Sequence, residues 1–172
     1  MTFDKAIKDG KVTTDEACAI FDALPPASIE TLIGTWKGFE FPSGHPNDGL
    51  LAASGWFGKR FTDADTVDPL LFYKRDHKTF FAADPIKKFR ASAEGVKDIA
   101  SVQKEIETSE PTARLRMVVY RGQVTTAMIY DQAPIIDYFR QVDSNTLLGA
   151  MDRRGDKGTY FFILRRYQAN PM

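Results

Sequence analysis

Apolar residues recur at helical spacing near the start of the chain and then give way to short runs with a period of two. Ala17, Ile20, Phe21 and Leu24 share one face of a helix that Thr14 or Asp15 can cap and Pro25-Pro26 ends. A second short helix is expected over residues 28–33. It leads into an extended segment at 35–41, opened by Gly34-Thr35-Trp36-Lys37-Gly38. Residues 42–49 are too rich in proline, glycine and asparagine to continue it, so a loop is expected there. Asp48 can then cap a helical segment running from Gly49 toward Phe61, although Gly55 and Gly58 weaken it.

Beyond Pro69, β-rich runs occupy residues 70–74, 79–83, 99–108, 112–121, 124–130, 146–152 and 159–167. Together with 35–41 they give about eight strands. Between 133 and 143 the positions of Ile135, Ile136, Phe139 and Val142 fit a helical turn as well as a bent strand. The pattern predicts a mostly β fold, an antiparallel barrel of about eight or more strands. Residues 1–33 form its helical N-terminal segment, and residues 34–168 form the barrel with a helical insertion after the first strand. At 172 residues the chain reads as a single domain, 1–172, able to bury roughly 70% of its unfolded surface.

One hairpin can be registered from sequence. Gly122-Gln123 fits a two-residue type II′ turn, which sets Arg121 opposite Val124. Leu115, Met117, Arg121, Thr126, Met128 and Tyr130 then share one face, read as lumenal. Soft Met side chains mixed with Thr, Tyr and Arg suit a pocket wall, and Met as simple gap filler is the competing reading.

Composition narrows the function classes. The 23 basic and 23 acidic residues balance, which gives no field to attract nucleic acid. Thirteen Phe, six Tyr and two Trp supply rigid walls for a cavity. Cys18 is the single cysteine, so no internal disulfide can form and a metal–thiolate site is not expected. Residues 1–11 lack the apolar core of a signal peptide, and no apolar run is long enough to span a bilayer. The expectation is a cytoplasmic protein without integral membrane association. Nothing in the sequence sets its oligomeric state.

Two long blocks carry a family resemblance. The first is Leu32-Ile33-Gly34-Thr35-Trp36-Lys37-Gly38 with Gly44-His45-Pro46-Asn47-Asp48-Gly49-Leu50-Leu51 and Gly55-Trp56-Phe57-Gly58-Lys59-Arg60-Phe61. The second runs from Tyr120-Arg121-Gly122 through Ala127-Met128-Ile129-Tyr130-Asp131 and Pro134-Ile135-Ile136-Asp137-Tyr138-Phe139-Arg140 to Leu148-Gly149-Ala150-Met151-Asp152. The chain resembles the bacterial G-x-W-x-G family, whose motif precedes a domain of unknown function, and this label implies no activity. More distantly it is similar to the lipocalin and fatty-acid-binding-protein superfamily, which implies a calycin-like barrel. In intracellular lipid binders of that group an Arg-x-Tyr pair on the last strand holds the ligand carboxylate. Arg165-Arg166-Tyr167 offers that spacing. Haem-binding nitrobindins also begin with a G-x-W-x-G strand, but their axial histidine lies near the C-terminus, where this chain has none.

These features point to binding, rather than catalysis, of a hydrophobic or amphipathic small molecule in a barrel cavity. A carboxylic acid is one candidate, anchored by Arg165 and Tyr167 through a planar fork and a directed hydroxyl, or held with Arg121 as a second cation. Trp56, Met117, Met128 and Tyr130 would contact the apolar part, with Lys59-Arg60 as a cationic portal. Trp36 is expected at the closed end, stacked by a cation of the last strand, with Arg166 assigned to this closure. Both faces of that strand are apolar, so the pattern does not decide which of Arg165 and Arg166 points inward. The alternative is an enzyme acting on a small hydrophobic substrate, with Asp131 and Asp137 as split carboxylates and His45 as acid or base. Their competing role is turn capping and pairing with arginines. A third reading is haem binding through His45, with no cofactor and no metal as the leading expectation.

Overall fold

Hydroxyl caps start each N-terminal helix in the computed structural model, which describes residues 1–168. Thr2 caps α1 (Phe3–Asp9), Thr13 forms a capping box with Glu16 ahead of α2 (Thr14–Ala23), and Ser28 caps α3 (Ile29–Leu32). The described residues form nine strands: β1 (Gly34–Glu40), β2 (Trp56–Phe61), β3 (Val67–Tyr73), β4 (Phe80–Ala82), β5 (Ala113–Tyr120), β6 (Gln123–Tyr130), β7 (Ile135–Asp143), β8 (Thr146–Arg153) and β9 (Tyr160–Arg166). All pair antiparallel. Because β1 meets both β2 and β9 while β2 also meets β3, eight strands close into a barrel and β4 hangs on the edge of β3.

Two apolar layers share this barrel wall. Phe162 and Leu164 of β9 face the lumen with Trp36, Leu115 and Phe139, whereas Phe161 and Ile163 face outward and pack against Phe3, Ile20 and Phe21 of α1 and α2. The outer helices therefore explain why β9 reads as a continuous apolar run. At the closed end Trp36 donates its indole N–H to the Leu32 carbonyl at 2.6 Å, and the Arg166 guanidinium lies 4.3 Å from the Trp36 ring. Arg166 also donates to the carbonyls of Thr31 and Ile33 at 2.8 and 2.9 Å, tying α3 across the barrel's end. Arg166 is thus the inward arginine.

Several elements differ from the sequence expectations. The helix expected toward Phe61 is only α4 (Leu50–Ala53), and Trp56 onward is strand β2. Residues 99–108, read as a strand from the sequence pattern, form a 3-10 turn (Ile99–Val102) and α6 (Gln103–Ile106), because Ile99, Val102 and Ile106 recur at helical rather than alternating spacing. Before them lies α5 (Pro85–Ala93), started by an Asp84 cap and a proline in its first turn. The ambiguous stretch at 133–143 is strand β7.

The β5–β6 hairpin turns at Arg121-Gly122, with φ of 49° and 79°, and Tyr120 faces Gln123. Positive φ at both central residues is the type I′ signature, in place of the expected type II′ turn one residue later. The register moves by two, so the side chains that remain within the two strands keep their faces. The tip, however, leaves the barrel. β6 pairs with β7 only over Ala127–Ile129, and beyond that point the chain near Ala27 takes over, accepting from Thr126 N at 3.0 Å.

Strand β2 contains a bulge that positions the cavity. Its register against β3 shifts on both sides of Gly58, whose φ is 155°. As a result Trp56 and Lys59, three residues apart, both face the lumen. A Cβ at Gly58 would collide with the Trp36 carbonyl, and one at Gly38 would overlap the Trp56 indole. We expect Gly58→Ala to cost about 3 kcal/mol or more, lowering the Tm by roughly 6–12 °C. Differential scanning calorimetry checks this, and an unchanged Tm would remove the steric argument.

Candidate functional site

The open end of the barrel holds a cavity of about 720 Å³. Its wall combines Trp56, Leu70, Tyr130, Ile135 and Phe162 from the strands with Leu51 of α4 and Phe89 of α5. The size falls within the range of small-molecule pockets. Polar chemistry is concentrated at two places, the floor and the mouth.

On the floor, Lys59 Nζ lies 2.9 Å from Asp137 Oδ2, and both side chains are almost wholly buried, at 4% and 2% exposure. The ammonium also donates to the Pro69 carbonyl at 3.0 Å. Pro69 fits this irregular part of β3 because it has no N–H to contribute to a ladder. The remaining face of the ammonium is lined by aromatic rings, with centroids of Phe162 at 5.1 Å and of Trp56 and Tyr130 at 5.8 Å. The second carboxylate oxygen, Asp137 Oδ1, is buried without a hydrogen-bond partner. Burial raises the Asp137 carboxyl above its ordinary value of 3.8, against the opposing charge and hydrogen bond of Lys59. Tyr130 is pushed well above the usual phenol range by burial and then by the Asp137 charge.

At the mouth, Lys88 of α5 and Arg153 at the end of β8 flank Phe89, each 5.4 Å from its ring, and Lys97 lies nearby on the same wall. None of these three cations forms an ion pair among the described residues. Burial, and secondarily the Arg153 charge, lowers the Lys88 pKa. Glu40 links the wall residue Tyr160 to α4: it accepts from Tyr160 Oη at 2.9 Å and from Ala52 N at 3.3 Å. Burial and the neighbouring Glu40 charge raise the Tyr160 pKa.

Of the residues singled out in the sequence, Trp56, Tyr130 and Asp137 line this cavity. Met128 is fully buried in the core above it. Met117 keeps the lumenal face of the pleat but lies on the departing hairpin tip, 46% exposed. Arg121 is held outside by a two-pronged contact with Asp22 at 2.5 and 2.7 Å, and its positive φ turns it away from the strand. Arg165 and Tyr167 do not line the cavity. Arg165 is exposed over Phe39, and Tyr167 packs on Phe57 and Phe80 outside the barrel, because Arg166 takes the inward phase of β9. Asp131 is an outer residue paired with Arg114, and nothing joins it to Asp137.

His45 accepts from Asn47 N at 3.1 Å through Nδ1 and meets the Tyr160 ring edge-on, off the cavity wall. Of the expected Lys59-Arg60 portal, Lys59 is floor and Arg60 pairs outside with Asp68 at 2.7 Å. Sequence reasoning missed the Lys59–Asp137 pair and the mouth cations. Strict alternation hides Lys59, since only the Gly58 bulge turns it inward.

The buried pair yields two expectations. Lys59→Met should cost about 3–5 kcal/mol by stranding the carboxylate, and Lys59→Met with Asp137→Leu should recover most of that loss. Urea denaturation of both variants checks it, and a double variant no more stable than Lys59→Met would break the coupling. A carboxyl whose folded pKa is raised binds its proton more tightly in the native state. Its contribution is therefore complete below the unfolded value near 3.8 and declines as pH rises through the folded pKa. The stability of wild type relative to the double variant should fall as pH increases from 4 to 7, and a rise would reverse the assigned shift.

Comparison with known proteins agrees with this architecture. Residues 19–77 match the family described as GXWXG protein, and residues 111–166 match the domain of unknown function DUF4334. The crystal structure of a protein from Thermomonospora curvata is 32% identical, covering 96% of this chain and 95% of that one, with a TM-score of 0.73. None of the proteins with curated descriptions matches the chain. No helix of the described residues is long and apolar enough to cross a membrane. With the motif strand closing the barrel at Trp36 and the C-terminal match supplying five of its strands, the chain belongs to the GXWXG family in its combination with DUF4334.

Proposed function

We propose that the protein binds a small amphipathic molecule, with the apolar body inside the barrel and an anionic end at the mouth. The supporting observation is the cavity of about 720 Å³, walled by aromatic and aliphatic side chains and rimmed by Lys88, Lys97 and Arg153 without acidic partners. Apolar burial supplies roughly 25 cal/mol per Å² and is indifferent to orientation. The charges choose the orientation. At the floor the Lys59 charge is already matched by Asp137, so a carboxylate placed there would meet an occupied cation and a like charge. At the mouth the like charges of Lys88 and Arg153 lack a counter-ion, which an anionic group would provide.

An enzyme reading is favoured by one observation, the raised carboxyl of Asp137 within an apolar cavity. His45 and Asp131 do not accompany it there, so no second acid–base group of the expected set is in place.

Decanoate and 1-decanol, titrated calorimetrically, test the orientation. Lys88→Ser with Arg153→Ser should weaken decanoate binding roughly three- to tenfold, as befits rim charges, and leave 1-decanol unchanged. Raising salt should weaken decanoate alone. Equal effects on acid and alcohol would overturn the anionic mouth, and absence of binding by either would overturn the carrier reading.

A further inference from the structure

Asp137 Oδ1 is a buried acceptor on the cavity wall that apolar contact cannot satisfy. It belongs to a carboxylate with 1% residue exposure, on the wall of the cavity, with no donor within reach among the described residues. Its sister oxygen is committed to Lys59, and Tyr130, which feels the Asp137 charge, meets the ammonium through its ring. A buried acceptor in this state is penalised unless it gains a hydrogen bond, and the penalty is larger when it carries charge. We infer that the ligand of this cavity carries a neutral hydrogen-bond donor, a hydroxyl or an amide N–H, at the end that reaches the floor, where it donates to Asp137 Oδ1.

This rests on the carrier reading above and adds the chemistry of the ligand's inner end. A cationic amine would place a second positive charge beside Lys59, and a carboxylate would place a second negative charge beside Asp137. A neutral donor avoids both. It also discriminates against ethers and esters of the same size and shape, which bring acceptors to a site that already holds one. Specificity therefore comes from rejection: a site built to receive a donor leaves a buried charged acceptor bare when the donor is missing.

The orientation agrees with the mouth. A molecule with an anionic group at one end and a hydroxyl at the other matches the unpaired cations Lys88 and Arg153 outside and Asp137 Oδ1 inside. The inner contact does not depend on the outer one, so the two ends can be examined separately.

The experiment compares 1-decanol with decyl methyl ether, two neutral probes of similar apolar bulk, by isothermal titration calorimetry on the full chain. Wild type should prefer the alcohol by roughly ten- to a hundredfold, the usual range for a hydrogen bond to a charged group. In Lys59→Met with Asp137→Leu the floor becomes apolar, and the preference should vanish while the ether still binds. Equal affinities in wild type would overturn the donor requirement and leave the carrier reading standing. Failure of both probes to bind would instead overturn the carrier reading. A preference that survives in the double variant would assign the donor contact to another residue and overturn the role of Asp137. Should that variant not fold, the side-chain carboxyl ¹³C resonance of Asp137 in wild type decides: it should shift with the alcohol and stay fixed with the ether, and any other pattern overturns the inference.

Discussion

The contact between Gly58 and the Trp36 carbonyl governs how this barrel is furnished. A regular β2 strand would place Trp56 and Lys59 on opposite faces, one inside and one in solvent. The bulge at Gly58 changes the phase, so both enter the lumen, and the absence of a Cβ lets β2 lie directly against β1. Gly38 of β1 completes the arrangement, since the Trp56 indole rests where its side chain would be. The glycines of this region thus act through what they leave empty: one admits an aromatic wall and the other admits a charge.

Once Lys59 is inside, its surroundings follow from desolvation. An isolated ammonium in an apolar lumen costs several kcal/mol, and Asp137 on β7 supplies the opposite charge from across the barrel. The Pro69 carbonyl and three aromatic faces attend to the rest of the ammonium. The carboxylate has no comparable retinue. One oxygen meets Lys59 and the other, itself buried, has no hydrogen-bond partner among the described residues, which leaves the pair asymmetric. This asymmetry separates the floor from an ordinary structural ion pair, whose two members would both be saturated.

The sequence made the frame legible because the frame obeys local rules. Alternation located β5, β6, β8 and β9, apolar spacing and the Pro25-Pro26 stop located α2, though its cap is Thr13 rather than Thr14 or Asp15, and the blocks around Trp36 and Asp137 located the family. Errors arose where local rules yield to tertiary ones. Met117 has the right phase but the wrong height, because the chain near Ala27 replaces β7 beside β6 before that residue is reached. Arg165 has the right spacing from Tyr167 but the wrong phase, and the outer apolar face of β9 is covered by helices 120 residues or more earlier in the chain. No periodicity within β9 contains that information. Lys59 was hidden for the same reason in reverse, since its inward phase depends on the pairing of β2 with two neighbours.

The cavity therefore has a polarity that its residues impose at two different levels. Of the mouth cations, Lys88 and Lys97 lie on α5 and the segment after it, outside the barrel ladder, and Arg153 is the last residue of β8, at the end of its pairing with β7. They can change without disturbing closure. Floor charges sit inside strands β2 and β7, where each is held by its partner and by the bulge, so altering one disturbs the wall itself. Recognition of an outer group is consequently separable from the fold, whereas recognition of an inner group is part of it. A relative that took a different ligand could exchange Lys88, Lys97 or Arg153 freely, but changing the floor would require Lys59 and Asp137 to change together, because either charge left alone in that apolar lumen would act against the barrel that holds it.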